Sequence, residues 1–109
     1  MLPMKRTTYF CLLLVSLVMI PSSLSASTVK GKNFYAKILK PVCGFNGDVM
    51  GKKHTVSEWK QFYENNQLSL AIKVLCPQAP DITEQNDLLN LYHFLSSFAS
   101  DSGNVPSCN

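Results

Sequence analysis

The fold is decided by one stretch near the carboxyl end, LLNLYHFLSSFA, which spans residues 88–99. Its apolar side chains recur at intervals of three and four residues, a spacing that places them on one face of an α-helix. Such a face is stable only when other elements cover it. The stretch therefore predicts a core-facing helix of about 16 residues, whose stripe consists of Leu88, Leu91, Tyr92, Leu95, Phe98 and Ala99.

Two polar pairs predict where helices begin. Thr55 and Glu58 match a capping box, in which each side chain accepts a hydrogen bond from an amide of the first helical turn. Asp81 and Glu84 have the same spacing and predict the start of the last helix. The helix that begins at Thr55 has its own apolar stripe, formed by Val56, Trp59, Phe62 and Tyr63.

Two further helices are predicted, at residues 30–40 and 67–76. Pro41 should end the earlier one, because proline disfavours helix at the residue before it. Residues 41–54 contain three glycines and are predicted to be irregular. The apolar run at 67–76 is also compatible with a strand, and we favour helix. The predicted fold is a small all-α bundle of four helices.

The amino terminus predicts export. Lys5 and Arg6 precede an apolar run at residues 9–20, and small residues follow it. This is the order of a secretory signal, with cleavage expected after Ala26. A membrane anchor is the alternative, but the run is shorter than the roughly 20 apolar residues that a spanning helix needs. We expect a signal peptide at 1–26, one domain at 27–109, a periplasmic or secreted location and no membrane attachment after cleavage.

The charge of the exported chain is close to neutral. Residues 27–109 contain eight lysines and seven acidic residues, a net charge of +1. This does not favour a nucleic-acid-binding protein, which would concentrate basic residues on one surface. The charges are unevenly distributed, with +5 over residues 27–60 and −4 over 61–109. That asymmetry indicates either a charged partner or helix faces that simply differ in charge.

Three cysteines remain after cleavage, and an oxidising compartment favours a disulfide between two of them. The last ten residues have few apolar side chains, so Cys108 reads as a tether for the tail. Cys76 ends an apolar run and reads as a buried thiol. We therefore predict a Cys43–Cys108 disulfide with Cys76 left as a free thiol. A Cys76–Cys108 bond is the main alternative.

The residues that could carry chemistry form no recognisable site. Zinc ligands usually come in close pairs, whereas His54, His93 and the three cysteines are spread singly along the chain. An exported Cys43 is better explained as half of a disulfide than as a nucleophile that His54 would activate. No phosphate-binding glycine loop is present in the sequence. We expect no enzyme, no metal site and no cofactor.

The order of these parts resembles the small class I cytochromes c of the bacterial periplasm. The resemblance lies in an aromatic first helix, a cysteine- and glycine-containing loop, the short helix HTVSEWKQFY and the long helix LLNLYHFLSSFA. It implies that the first and last helices cross and pack through aromatic residues, a contact that Phe34 and Tyr92 would suit. Similar stretches in small exported bacterial proteins are LKPVCGFNG, KHTVSEW and ASDSGNVPSC.

The chain departs from that family at the haem attachment. Covalent haem requires C-x-x-C-H, whereas Cys43 is followed by Gly-Phe-Asn-Gly, with Asn46 in place of the second cysteine. Met50 lies too close to Cys43 to take the family's axial role. Haem bound without covalent attachment between His54 and His93 is an alternative.

The resulting expectation is a monomeric, exported, cytochrome-c-like protein without covalent haem. Its predicted role is that of a non-catalytic accessory or interaction protein near redox or respiratory partners, binding an unidentified protein. Two alternatives remain. One is electron transfer by haem held between His54 and His93, and the other is thiol redox chemistry by the unpaired cysteine.

Overall fold

The computed structural model describes residues 23–103, with side chains from residue 26 onward. Over that range the chain is helical and contains no strand, which confirms the all-α class. The 67–76 segment is a helix and not a strand. The elements are α1 (Ser23–Phe34), a π-turn (Tyr35–Leu39), α2 (Lys40–Cys43), α3 (Gly47–Gly51), α4 (Val56–Glu64), α5 (Leu68–Leu75) and α6 (Gln85–Ser97).

The first three elements form one continuous helical rod, residues 23–43. The expectation that Pro41 ends this helix is wrong, because Pro41 lies inside α2. A proline ring clashes with the carbonyl four residues before it in a regular α-helix. The π-turn ends at Leu39, two residues before Pro41, and contains Lys37, the residue whose carbonyl a regular helix would place against the ring. The rod ends instead at Gly44, whose left-handed φ of 82° stops the helix while its amide bonds to Lys40.

The predicted irregular stretch at 41–54 contains α3, a helix that the sequence pattern did not indicate. Its two glycines, Gly47 and Gly51, lie one turn apart and face α6. A Cβ atom on Gly47 would lie 2.3 Å from the Phe94 ring, and one on Gly51 would lie 2.6 Å from the Leu95 carbonyl oxygen. These glycines therefore allow α3 to pack closely against α6. Because α3 was not predicted, the described residues contain five helices, with the rod counted as one, and not four.

Helix α1 approaches α6 just as closely through Gly31. A Cβ atom there would lie 2.1 Å from the Asn90 carbonyl oxygen and 2.7 Å from the Phe94 Cβ. No side chain fits in that space. The rod and α3 thus pack against neighbouring parts of α6 through three glycines.

The core lies between α6 and the shorter helices, with Trp59 at its centre. Trp59 is completely buried, and its indole Nε1–H donates a 2.8 Å hydrogen bond to the Gly51 carbonyl. This bond satisfies the single polar group of the indole and links α4 to the end of α3. The other fully buried large side chains are Tyr35, Leu39, Met50, Leu68, Ile72, Leu91 and Leu95.

The predicted start of α4 is confirmed. Thr55 and Glu58 form both hydrogen bonds of the capping box, at 2.9 and 3.1 Å. The bond from the Thr55 amide holds the pKa of the Glu58 carboxyl below its ordinary value. Asp101, which follows α6, accepts a further bond from the Val56 amide. The start of α4 is therefore tied to the end of the described chain.

The second predicted capping pair is wrong. Helix α6 begins at Gln85 and has 13 residues, and Glu84 makes no side-chain bond to its amides. Asp81 instead forms an ion pair with Lys73 of α5. Residues 76–84 cross from α5 to α6 in an irregular segment, so Asp81 is too far from the helix to cap it.

The predicted cysteine pairing is also wrong. Cys43, at the end of the rod, is bonded to Cys76, directly after α5, with a Cα–Cα distance of 5.5 Å. The burial of Cys76 was expected, and it is 4% exposed, but it is not a free thiol. This Cα–Cα separation is within the range that a disulfide requires. Cys108 lies outside the described residues.

The predicted signal peptide, residues 1–26, lies almost wholly outside the described residues, and its cleavage stays a prediction. Helix α1 begins at Ser23, so a cut after Ala26 falls in its first turn and leaves the rest of α1 in the exported chain. Among residues 23–103, no helix has the length and apolar character needed to cross a membrane.

We expect Gly31→Ala to destabilise the protein. Helix propensity alone would make this change stabilising by about 1 kcal/mol, whereas overpacking against α6 costs about 1–3 kcal/mol. Urea unfolding of the exported protein measures the sign, with Asn33→Ala as the control on an exposed position of α1. A stability gain in Gly31→Ala would contradict the close approach.

We expect the paired variant Cys43→Ser/Cys76→Ser to lose about 3–4 kcal/mol of unfolding free energy, from the loop-closure entropy of a bond across 33 residues. Each single variant should lose nearly the same amount, since either one breaks the bond. Cys108→Ser is the control and should leave the urea midpoint unchanged. A loss in Cys108→Ser equal to that in Cys43→Ser would show that the tail cysteine is paired.

Candidate binding groove

A groove of about 360 Å³ runs between the rod and α6, and the start of α3 forms its floor. Small-molecule sites commonly begin near this size. The rod supplies one wall, the aromatic side chains of α6 supply the other, and polar groups lie on the floor and along the edge. The lining residues are Lys32, Tyr35, Ala36 and Lys40 of the rod, Asn46, Gly47 and Asp48 on the floor, Phe94 of α6, and Phe98, which directly follows α6.

The π-turn shapes the rod wall. Its defining hydrogen bond runs from the Lys40 amide to the Tyr35 carbonyl, five residues back. In a regular α-helix, side chains spaced by four residues shift steadily around the axis, because one turn takes only 3.6 residues. A π-turn has more residues per turn, so it reduces this shift and keeps such side chains on one face. Lys32, Ala36 and Lys40 therefore all line the groove.

Tyr35 has a structural role in the groove, because it links the rod both to the segment before α3 and to α6. It is 2% exposed, and its hydroxyl donates a 2.8 Å hydrogen bond to the Phe45 carbonyl. Burial, assisted by the negative charge of Asp48, raises the pKa of Tyr35 to about 12. The phenol is therefore neutral at physiological pH. Its ring contacts that of Phe94, with centroids 6.0 Å apart.

The charged groups of the groove are arranged by depth. Asp48 is buried, with 7% of its surface exposed, and it accepts a 2.9 Å hydrogen bond from the Val49 amide. Lys32 and Lys40 are exposed along the rod wall. The groove is thus lined by a buried carboxylate, by two exposed lysines and by the rings of Tyr35, Phe94 and Phe98.

The aromatic contact expected between the first and last helices is shifted along both of them. Tyr35 and Phe94 form the ring pair, in place of Phe34 and Tyr92. Tyr92 instead stacks on Tyr63 of α4, with centroids 4.9 Å apart and planes 9° apart. The prediction that these helices pack through aromatic side chains is correct in kind, but the residues named for it are wrong.

The two histidines named as haem ligands lie in different surroundings. His54 packs edge-on against Trp59 and Phe62, with centroids 4.9 Å away in each case. Its carbonyl accepts a bond from the Ser100 amide, just beyond α6. His93 lies seven residues before Ser100, about 10 Å along a helix axis. The cleft that His54 lines does not include His93. Haem held between these two histidines stays a prediction.

The cysteines and the other metal-binding residue types form no further site in the described range. Residues 23–103 contain no group of three His, Cys, Asp or Glu side chains placed to hold a metal ion. Cys43 and Cys76 are consumed by their mutual bond. Cys76 is therefore not the free thiol that the sequence predicted, and the unpaired cysteine becomes Cys108, which lies outside the described residues.

A second surface feature lies on α5. Leu70 and Val74 are one turn apart and are 61% and 74% exposed. They border a cleft of about 200 Å³, whose other walls include His54 and Phe62. We call the exposed apolar surface formed by Leu70 and Val74 the α5 face.

Comparisons with protein-family models, with curated proteins and with solved structures find no match to this chain.

The groove was absent from the sequence-based predictions. The spacing of Lys32, Ala36 and Lys40 was one available signal, but it reads as an ordinary solvated helix face until the π-turn is known. Gly47 and Asp48 were read as loop residues. Their roles depend on packing against α6, which no local pattern reveals.

Proposed function

We propose that the chain is an exported, disulfide-stapled protein that binds a small ligand in the groove and performs no catalysis. The observation that carries this proposal is the groove itself, which combines an aromatic wall with charged groups at two depths. Ligand sites typically pair apolar walls with a few placed polar groups. The accessory role near redox or respiratory partners that the sequence predicts is a separate expectation.

Export is supported by two independent features. The sequence begins with the charge, apolar run and small residues of a signal peptide. The Cys43–Cys76 disulfide is a bond that persists in oxidising compartments. A periplasmic or secreted location accounts for both.

Binding is better supported than the other classes that the sequence left open. The groove is an observed feature of the fold, whereas electron transfer by haem held between His54 and His93, and thiol chemistry by the unpaired cysteine, stay predictions. Tyr35 is held neutral by its pKa of about 12 and its bond to Phe45, so it serves as scaffold. The kinship with class I cytochromes c and a role near respiratory partners stay predictions.

We expect Ala36→Trp to abolish binding of a neutral apolar probe, because the indole would fill the groove. The measurement is the fluorescence of N-phenyl-1-naphthylamine, which rises in apolar surroundings, titrated against the exported protein. Lys37→Trp is the matched control, since Lys37 is exposed and does not line the groove. Equal probe binding in both variants, or no binding by the unaltered protein, would overturn the proposal.

A second candidate function, contact with a protein partner, is favoured by the α5 face. Contiguous exposed apolar patches mark protein–protein contacts, and the core of such a contact is more apolar than the rest of the surface. Leu70 and Val74 belong to a helix whose end is fixed by the Cys43–Cys76 bond. Their position is therefore defined before any partner arrives.

We expect a photo-crosslinking amino acid at Val74 to capture one discrete partner in the exporting host, because the α5 face would lie inside the contact. The same group at Val29, which is 57% exposed on α1, serves as the control. Leu70→Ser should remove the adduct formed from position 74. Equal adducts from both positions would contradict the candidate, and an adduct of twice the chain mass would identify a second copy and end the monomer expectation.

A further inference from the structure

We propose that the groove selects an organic monoanion with an apolar body, such as a medium-chain carboxylate, over neutral and cationic molecules of the same size. This inference rests on the proposed function, because it names the chemical class of the ligand for the same groove. It is argued from the placement of the charged and aromatic side chains that line the groove.

The apolar body is accommodated by the aromatic wall. The ring of Phe94, in the last turn of α6, and that of Phe98, which directly follows α6, have centroids 5.8 Å apart and planes at 72°. Ala36 on the opposite wall is small, so the space between the walls stays open. A flexible apolar chain lying there removes its own surface and that of the rings from water, and this burial is favourable.

The anionic group is recognised at the edge. Lys32 and Lys40 lie eight residues apart on the rod, about 12 Å along its axis, and both line the groove. Their ammonium groups produce a positive edge along one wall. A carboxylate placed there gains attraction from at least one of them while its other side remains in water.

Asp48 determines the orientation of the ligand and its charge. Its carboxylate is buried on the groove floor and accepts a hydrogen bond from the Val49 amide. Its negative charge adds to the effect of burial in raising the pKa of Tyr35. A second negative charge near the floor would be repelled. The acidic end of the ligand therefore lies at the lysine edge and its apolar chain lies deeper. The same repulsion disfavours ligands with several negative charges.

A cation is disfavoured for the complementary reason. To reach Asp48, a cation would have to pass the two lysines and lose its hydration. The carboxylate that it would then meet already accepts a hydrogen bond from the Val49 amide. The aromatic rings attract cations weakly, but the positive edge opposes entry. With two lysines and one aspartate, the groove has a net charge of +1.

The test compares decanoate, methyl decanoate and decylammonium by calorimetric titration of the exported protein. We expect decanoate to bind most tightly. The variant Lys32→Gln/Lys40→Gln should weaken decanoate binding by about three- to tenfold, the range expected for the loss of two exposed charge contacts. Binding of methyl decanoate should not change. The matched control is Lys30→Gln/Lys37→Gln, which removes two lysines of the same rod that do not line the groove.

Each outcome has a separate meaning. If decylammonium or methyl decanoate binds as tightly as decanoate, and Ala36→Trp still blocks binding, the groove is a ligand site and the inference about anions is overturned. If the two lysine pairs weaken decanoate equally, its selection is a general charge effect and the inference also fails. If Ala36→Trp changes the binding of none of the three probes, the proposed function fails as well.

Discussion

The close approach of three glycines to α6 is the constraint on which the other features of this protein depend. Gly31 brings α1 against the Asn90 carbonyl, and Gly47 and Gly51 bring α3 against Phe94 and Leu95. Side chains at these positions would hold the helices apart and open the core. Because all three contacts fall within about two turns of α6, the rod and α3 are also brought next to each other. The groove lies where they meet.

The groove is a consequence of two opposite effects along the rod. Near Gly31 the rod lies so close to α6 that no space remains. At the π-turn the rod presents small Ala36 to the groove, with Lys32 and Lys40 on either side of it along the rod, and a space remains between the rod and α6. The rings of Tyr35 and Phe94, whose centroids are 6.0 Å apart, line that space. The same rod therefore packs tightly at one place and binds at the next.

The disulfide gives this arrangement its rigidity. It joins the end of the rod to the end of α5, across a loop that contains α3 and α4. The groove floor and the α5 face thus both belong to the segment that this bond closes. The proposed ligand site and the candidate protein contact share no lining residue, so variants in one can be assessed without altering the other.

The sequence by itself determined the helical class, the apolar stripe of α6 and the capping box at Thr55, because these depend on residues within a turn or two of one another. It did not determine the cysteine pairing, since any two of three cysteines can bond until the chain path is known. Nor did it reveal α3 or the groove. Gly47 reads locally as a loop residue, and Lys32 and Lys40 read as solvated charges. Only the tertiary structure decided their roles, because the reason for each is contact with α6 or with the opposite wall, and such contacts join residues far apart in the chain.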